Sequence, residues 1–216
     1  MHPFVELTTA AILLALLPVR HVNPSADMQA GEVYNGVWWQ SVSQEERSGF
    51  VRGVVNCYVG DYGAPPGIGG DSTFDGARDS TTAYYQANPT HTNEPVLRVL
   101  LARRGAPPRA NHPARETRHP RKLKYLDGFM WKQMTNNGDH SGQLGFLKGY
   151  LSCLRLYVPK KARSLSGTPI EYQVWITQWY RYDEATDTID TQRQDVPIAD
   201  ALFRVRHGLP ARPVNR

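Results

Sequence analysis

Apolar residues recur at helical spacing in two well-separated parts of the chain. Phe50, Val54 and Cys57 stand at i, i+4 and i+7, which puts them on one face of a helix. Gly49, Gly53 and Cys57 stand at i, i+4 and i+8 and form a second stripe with almost no side-chain bulk. Ser43-Gln44-Glu45-Glu46 has the Ser-x-x-Glu form of a capping box. The pattern therefore predicts a helix from Ser43 through Phe50 to about Tyr58.

The pattern then returns. Gly145-Phe146-Leu147-Lys148-Gly149-Tyr150-Leu151-Ser152-Cys153 reads against Gly49-Phe50-Val51-Arg52-Gly53-Val54-Val55-Asn56-Cys57. Upstream, Asp127-Gly128-Phe129-Met130-Trp131 matches Asn35-Gly36-Val37-Trp38-Trp39. Downstream, Thr177-Gln178-Trp179-Tyr180 matches Thr82-Ala83-Tyr84-Tyr85, and the run from Pro197 matches the run from Pro95. The offset changes from 92 to 96 between the first two blocks, so the second copy carries four extra residues around Asn136–Asp139. Four blocks in one order point to an internal duplication.

Each copy reads as three helical stretches. The second covers about Ser80 to Ala87, with Ile170 to Tyr182 as its partner. Ile170–Tyr182 also has strand composition, and its match to Thr82–Tyr85 selects helix. The third begins at Pro95 and at Pro197, prolines suited to a first helical turn, with Leu97, Leu100 and Leu101 or Ile198, Ala201, Leu202 and Val205 on its apolar side.

Glycine inside a helix costs roughly 1 kcal/mol relative to alanine. Gly49 and Gly53, and again Gly145 and Gly149, therefore need a reason. Close approach of two backbones is one; the other is a helix that ends or kinks, or that seats an aromatic ring. If the two stripes face each other across a pseudo-twofold axis, Cys57 and Cys153 come within bonding range. The fold expected is all-α: two tandem three-helix repeats, residues 31–104 and 125–208, joined by residues 105–124 and followed by a short tail, 209–216.

The chain has 216 residues and 40% hydrophobic content, enough for a folded core and too polar for a polytopic membrane protein. Leu7 to Val19 is a nearly unbroken apolar run, followed by small and polar residues up to Met28-Gln29-Ala30. Residues 1–30 thus read as a secretory leader, although Met1–Glu6 holds no Lys or Arg. Cleavage would leave a mature chain starting near Gly31, without a membrane span. An exported chain with two cysteines favours a Cys57–Cys153 disulfide over two buried thiols.

Charge is concentrated in Arg103–Lys124, the end of the first copy and the linker after it. Arg103, Arg104, Arg109, Arg115, Arg118, Arg121, Lys122 and Lys124 face one acid, Glu116, giving this stretch +7 in a chain of +5. With prolines at 107, 108, 113 and 120 it reads as a solvated linker. Such a linker could contact a polyanion; export argues for an anionic envelope component or an unidentified protein over nucleic acid.

Candidate chemistry is sparse. Asp71, Thr73, Asp75 and Asp79, with Gly76, follow the oxygen-ligand spacing of a calcium loop, but Thr82 stands where the bidentate Glu belongs. A polar loop with a helix cap is the competing reading. His91, His112, His119, His140 and His207 form no zinc or metalloprotease spacing. There is no Gly-x-Ser-x-Gly elbow, and no cofactor is expected. Trp39 and Trp131 are matched and read as core, with a ligand platform as the alternative; Arg52 and Lys148 read as surface cations. The function expected is that of an exported, non-catalytic binding or structural protein of the cell envelope, periplasmic or extracellular. The alternatives are a secreted hydrolase with its site between the repeats and a calcium-stabilised binding module.

Overall fold

The computed structural model describes residues 34–62, 71–102, 126–135, 138–186 and 188–208, the side chains of residues 61, 62 and 71–73 excepted. The leader-like segment, the basic stretch 103–124 with all eight of its cations, and the tail 209–216 lie outside the described residues.

The chain is helical, and among the described residues extended pairing is confined to isolated bridges. The first half carries α1 (Gly36–Ser41), α2 (Gln44–Tyr62), α3 (Asp71–Ala87) and α4 (Val96–Ala102), with a 3-10 turn at Pro89–His91. The second carries α5 (Gly128–Gln133), α6 (Ser141–Tyr157), α7 (Pro159–Ala162), α8 (Pro169–Tyr180) and α9 (Ile198–Arg204).

The expectation of three helical stretches per copy is corrected in two places. The Asn-Gly and Asp-Gly turns open short helices of their own. Asn35 Oδ1 accepts from the Trp38 amide, and Asp127 Oδ1 from the Met130 amide, both at 3.1 Å. These are side-chain caps of a first helical turn. The second correction is α3, which spans 17 residues. Phe74, Ala77, Thr81 and Tyr85 make its buried side, spaced as one helical face requires.

α8 is a helix, as its match to α3 implies. Thr168 and Glu171 form a complete capping box at its start, and Arg181 ends it in the left-handed conformation at φ 54°. The bond from the Thr168 amide holds the Glu171 carboxyl below the usual carboxylate range.

One continuous core joins both halves. Trp39 and Trp131 are fully buried in it, which excludes a ligand platform at either ring. Each indole N–H donates to a threonine hydroxyl on a neighbouring helix, Trp39 to Thr82 at 3.0 Å and Trp131 to Thr177 at 3.1 Å. Thr82 and Thr177, the two acceptors, are themselves aligned between the halves. Tyr85 and Tyr180, both buried, donate to the carbonyls of Glu94 and Val196 at 2.9 and 2.7 Å. Burial raises the pKa of both phenols.

Thr177→Val leaves the Trp131 N–H buried without an acceptor and is expected to cost about 1–3 kcal/mol. Thr82→Val is expected to cost the same within about 0.5 kcal/mol. Urea unfolding followed by tryptophan fluorescence measures both; a neutral result at either position would remove that bond from the account.

Candidate functional site

α2 and α6 lie side by side and run the same way. Positions 46 and 49 of α2 face 145 and 142 of α6, 50 and 53 face 149 and 146, and Cys57 faces Cys153. A methyl group on Gly49 would overlap the Gly142 carbonyl oxygen, and one on Gly53 that of Phe146. The contacts are reciprocal: a methyl on Gly145 would overlap the Glu46 carbonyl oxygen, and one on Gly149 that of Phe50. The four glycines therefore let two backbones touch directly, without an intervening layer of side chains. The helices run through these positions, so the alternative of an ending or kinked helix falls away. Farther along the same seam, Cys57 and Cys153 form a buried disulfide with Cα atoms 6.1 Å apart.

A matched cation stands on each flank of this seam. Lys148 is no surface cation: its side chain is 15% exposed, and its Nζ lies 2.6 Å from Glu46 Oε1. It also sits over the rings of Tyr34 and Trp38, 5.6 and 5.4 Å from their centroids, where ring quadrupoles attract a cation. This explains why the capping box at Ser43 is only half made. Ser43 Oγ accepts from the Glu46 amide at 3.1 Å, but the Glu46 carboxylate reaches across the seam instead of back to its own helix start.

Lys148→Met is expected to cost about 2–3 kcal/mol, because it strands a buried carboxylate. Adding Glu46→Gln should recover more than half of that loss. Urea unfolding of the two single variants and the double variant gives the coupling; additive costs would mean that the pair does not interact.

On the other flank, Arg52 lies over the Phe74 ring at 5.1 Å and donates to Met130 Sδ at 3.6 Å. It lines a cleft of about 320 Å³. Gln44, Glu45 and Ser48 of α2 continue that wall. Met130, Gln133 and Met134 face them, and Gly142 closes the end towards α6. Arg78 completes the lining from α3. Its guanidinium bonds Ser48 Oγ at 3.0 Å and pairs with Asp75 and Asp79, both at 2.8 Å. The bond to Asp79 raises the Arg78 pKa against the opposing effect of burial. A second hollow, of about 400 Å³, lies along the end of α9 from Asp200 to His207.

The calcium-like spacing falls on α3. Asp71–Ala87 is continuous helix, not the turning loop that folds oxygen ligands around an ion. The carboxylates of Asp75 and Asp79 are engaged by Arg78 between them, and the side chains of Asp71 and Thr73 lie outside the described residues. Among the described residues no three His, Cys, Asp or Glu side chains converge as a metal site would need. His91 pairs with Glu94, and His140 with Glu184, on separate parts of the surface.

The sequence pattern locates the glycine seam and the sulfurs but not the cleft. The signal for the cleft lies in the register of the two halves: Trp38 is matched by Met130, and Glu46 by Gly142. Comparison of the chain with protein-family models, with curated proteins and with solved structures returned no match.

Proposed function

We propose that this is an exported, non-catalytic helical protein of the cell envelope that acts by binding. We further infer that it is built from two copies of one unit, residues 31–104 and 125–208, related by a local twofold axis along the glycine seam. The observation that carries export is the Cys57–Cys153 disulfide, because such bonds persist in oxidising compartments. The apolar run Leu7–Val19 supports the same reading. Reciprocal glycine contacts, paired indole–threonine bonds and paired side-chain caps support the duplication.

A binding role fits the cleft, whose lining pairs polar groups with two thioethers. The basic stretch 103–124 adds a polyanion contact, directed at an anionic envelope component. A hydrolase built on paired carboxylates or a histidine finds neither among the described lining residues, which hold Glu45 and two guanidiniums.

Fusing alkaline phosphatase to the C-terminus of the full chain tests export, since that reporter matures only outside the reducing cytoplasm. Activity is expected, and it should vanish when residues 7–19 are deleted. An inactive reporter on the full chain would overturn the reading. Replacing the eight linker cations with Gln should abolish retention on a polyanionic matrix at low salt; unchanged retention would remove the linker from the binding surface.

A further inference from the structure

Two guanidiniums share the ring of Trp179 near the end of α8. Arg193 lies 5.0 Å from the ring centroid and Arg204 lies 5.6 Å from it. Arg193 is also tied down by its own chain, donating to the Trp179 carbonyl and pairing with Asp190. Arg204 has no such tie. Among the described residues its guanidinium makes no ion pair and no hydrogen bond, and the indole face is its partner. The side chain is exposed. Ala102 stands at the matching position of the first half, so the helix does not require an arginine there.

Arg204 lines the hollow of about 400 Å³ at the end of α9, together with Asp200, Phe203, Arg206 and His207. We propose that this hollow binds a phosphoryl group, either as a free phosphate or as the headgroup of a lipid. The inference rests on the binding role proposed above, names a ligand class for it, and places that ligand on the folded chain apart from the basic stretch 103–124.

Donor supply carries the choice of ligand. A guanidinium offers five N–H donors in a planar fork, and those of Arg204 are uncommitted. Arg206 donates from Nε to His207 Nε2 at 3.2 Å and from Nη1 to the Phe203 carbonyl at 3.1 Å. Its Nη2 and the second Nη1 hydrogen remain for a ligand. His207 accepts at Nε2, which assigns its ring N–H to Nδ1. Donors from three side chains suit the several oxygens of a phosphoryl group better than the two of a carboxylate. Charge agrees. Arg204 and Arg206 against Asp200 leave +1 at the hollow, and Arg181 and Arg193 against Asp190 leave a further +1 beside it. An anion therefore meets net attraction. Phe203 gives the hollow an apolar side for the organic part of an ester, and the volume falls within the range of small-molecule pockets.

The full chain, labelled with ¹⁵N, is titrated at a fixed ionic strength of about 0.15 M, where long-range attraction is screened. The three probes are inorganic phosphate, dihexanoylphosphatidylglycerol below its micellar concentration, and acetate. Saturable shifts of the Trp179 indole N–H and of the Phe203 to His207 amides are expected with one or both phosphoryl probes and not with acetate. Phosphate binding more tightly identifies a free phosphate ligand; the lipid binding more tightly identifies a headgroup. Arg204→Gln should weaken binding at least about tenfold, the loss expected for a charge-assisted pair, and Arg204→Lys should weaken it less. Replacing the eight cations of 103–124 with Gln should leave the affinity within about twofold. No saturable shift from either phosphoryl probe, an equal response to acetate, full affinity in Arg204→Gln, or loss of binding with the 103–124 replacement overturns the proposal. The probe comparison on the unmutated chain stands even if a variant fails to fold. A failed titration beside an active export reporter rejects this ligand class alone, whereas an inactive reporter rejects the envelope reading whatever the titration shows.

Discussion

Removing the Cys57–Cys153 bond, by reduction or by Cys57→Ala with Cys153→Ala, is expected to lower stability by about 4–5 kcal/mol. The bond joins residues 96 apart in sequence. An open chain must search a large volume before those positions meet, and a cross-linked chain has lost that freedom already. Both sulfurs are fully buried, so deleting them also removes packing at the seam. Domains are stable by only about 5–15 kcal/mol, so the loss is a large share of the total. In a chain of this size it corresponds to roughly 10–15 °C in melting midpoint. Thermal melts by circular dichroism, with and without a phosphine reductant, measure it; coincident midpoints would show that the bond closes a loop already fixed by other contacts.

The second large effect is a reversal of sign among glycines. In an ordinary exposed helix, Gly→Ala stabilises by about 0.5–1 kcal/mol, since alanine confines the unfolded chain and favours helix. Gly76 in α3 is such a site, exposed and with open space where a methyl group would stand. Gly76→Ala should raise the melting midpoint. Gly53→Ala and Gly149→Ala should do the opposite, each with a net loss of about 2–3 kcal/mol. The added methyl would meet backbone carbonyls of the facing helix. A backbone atom cannot turn aside as a side chain can, so the helices must separate and give up the packing of Phe50, Val54, Phe146 and Tyr150. Urea unfolding of the three variants checks both signs. A stabilising Gly53→Ala would mean that the two backbones do not touch.

Much of this is legible in the chain because it rests on residues with few other uses. Helix-interior glycines at four-residue spacing imply a close neighbour, and two cysteines at matched positions imply where that neighbour lies. The helix over Ile170–Tyr182 is legible only through its partner, since its own composition suits a strand equally well. α3 reads too short in the sequence because Asp71, Asp75, Gly76 and Asp79 resemble a polar loop. Its buried face depends on Ala77 and Thr81, which carry little hydropathy signal. α1 and α5 are six residues each, shorter than any periodicity can reveal, and only their Asn35 and Asp127 caps mark them. The Glu46–Lys148 pair spans 102 positions. Glu46 has a complete local explanation as a capping residue, which hides its partner across the seam.

The cleft shows a different limit. It arises where the two halves differ, the second carrying Met130 and Gly142 at the positions aligned with Trp38 and Glu46 of the first. Similarity between halves exposes the scaffold; the differences between them mark where the two flanks diverge.

The central claim is direct contact between the α2 and α6 backbones, with chains running in the same direction. Nuclear Overhauser contacts in the oxidised full chain test it most directly. Cross-peaks from Gly53 Hα to the Tyr150 amide proton, and from Gly49 Hα to the Phe146 amide proton, are expected, because these groups adjoin across the seam. Their absence, or contacts from Gly53 to residues near Gly142 in the order of an antiparallel pair, would contradict it.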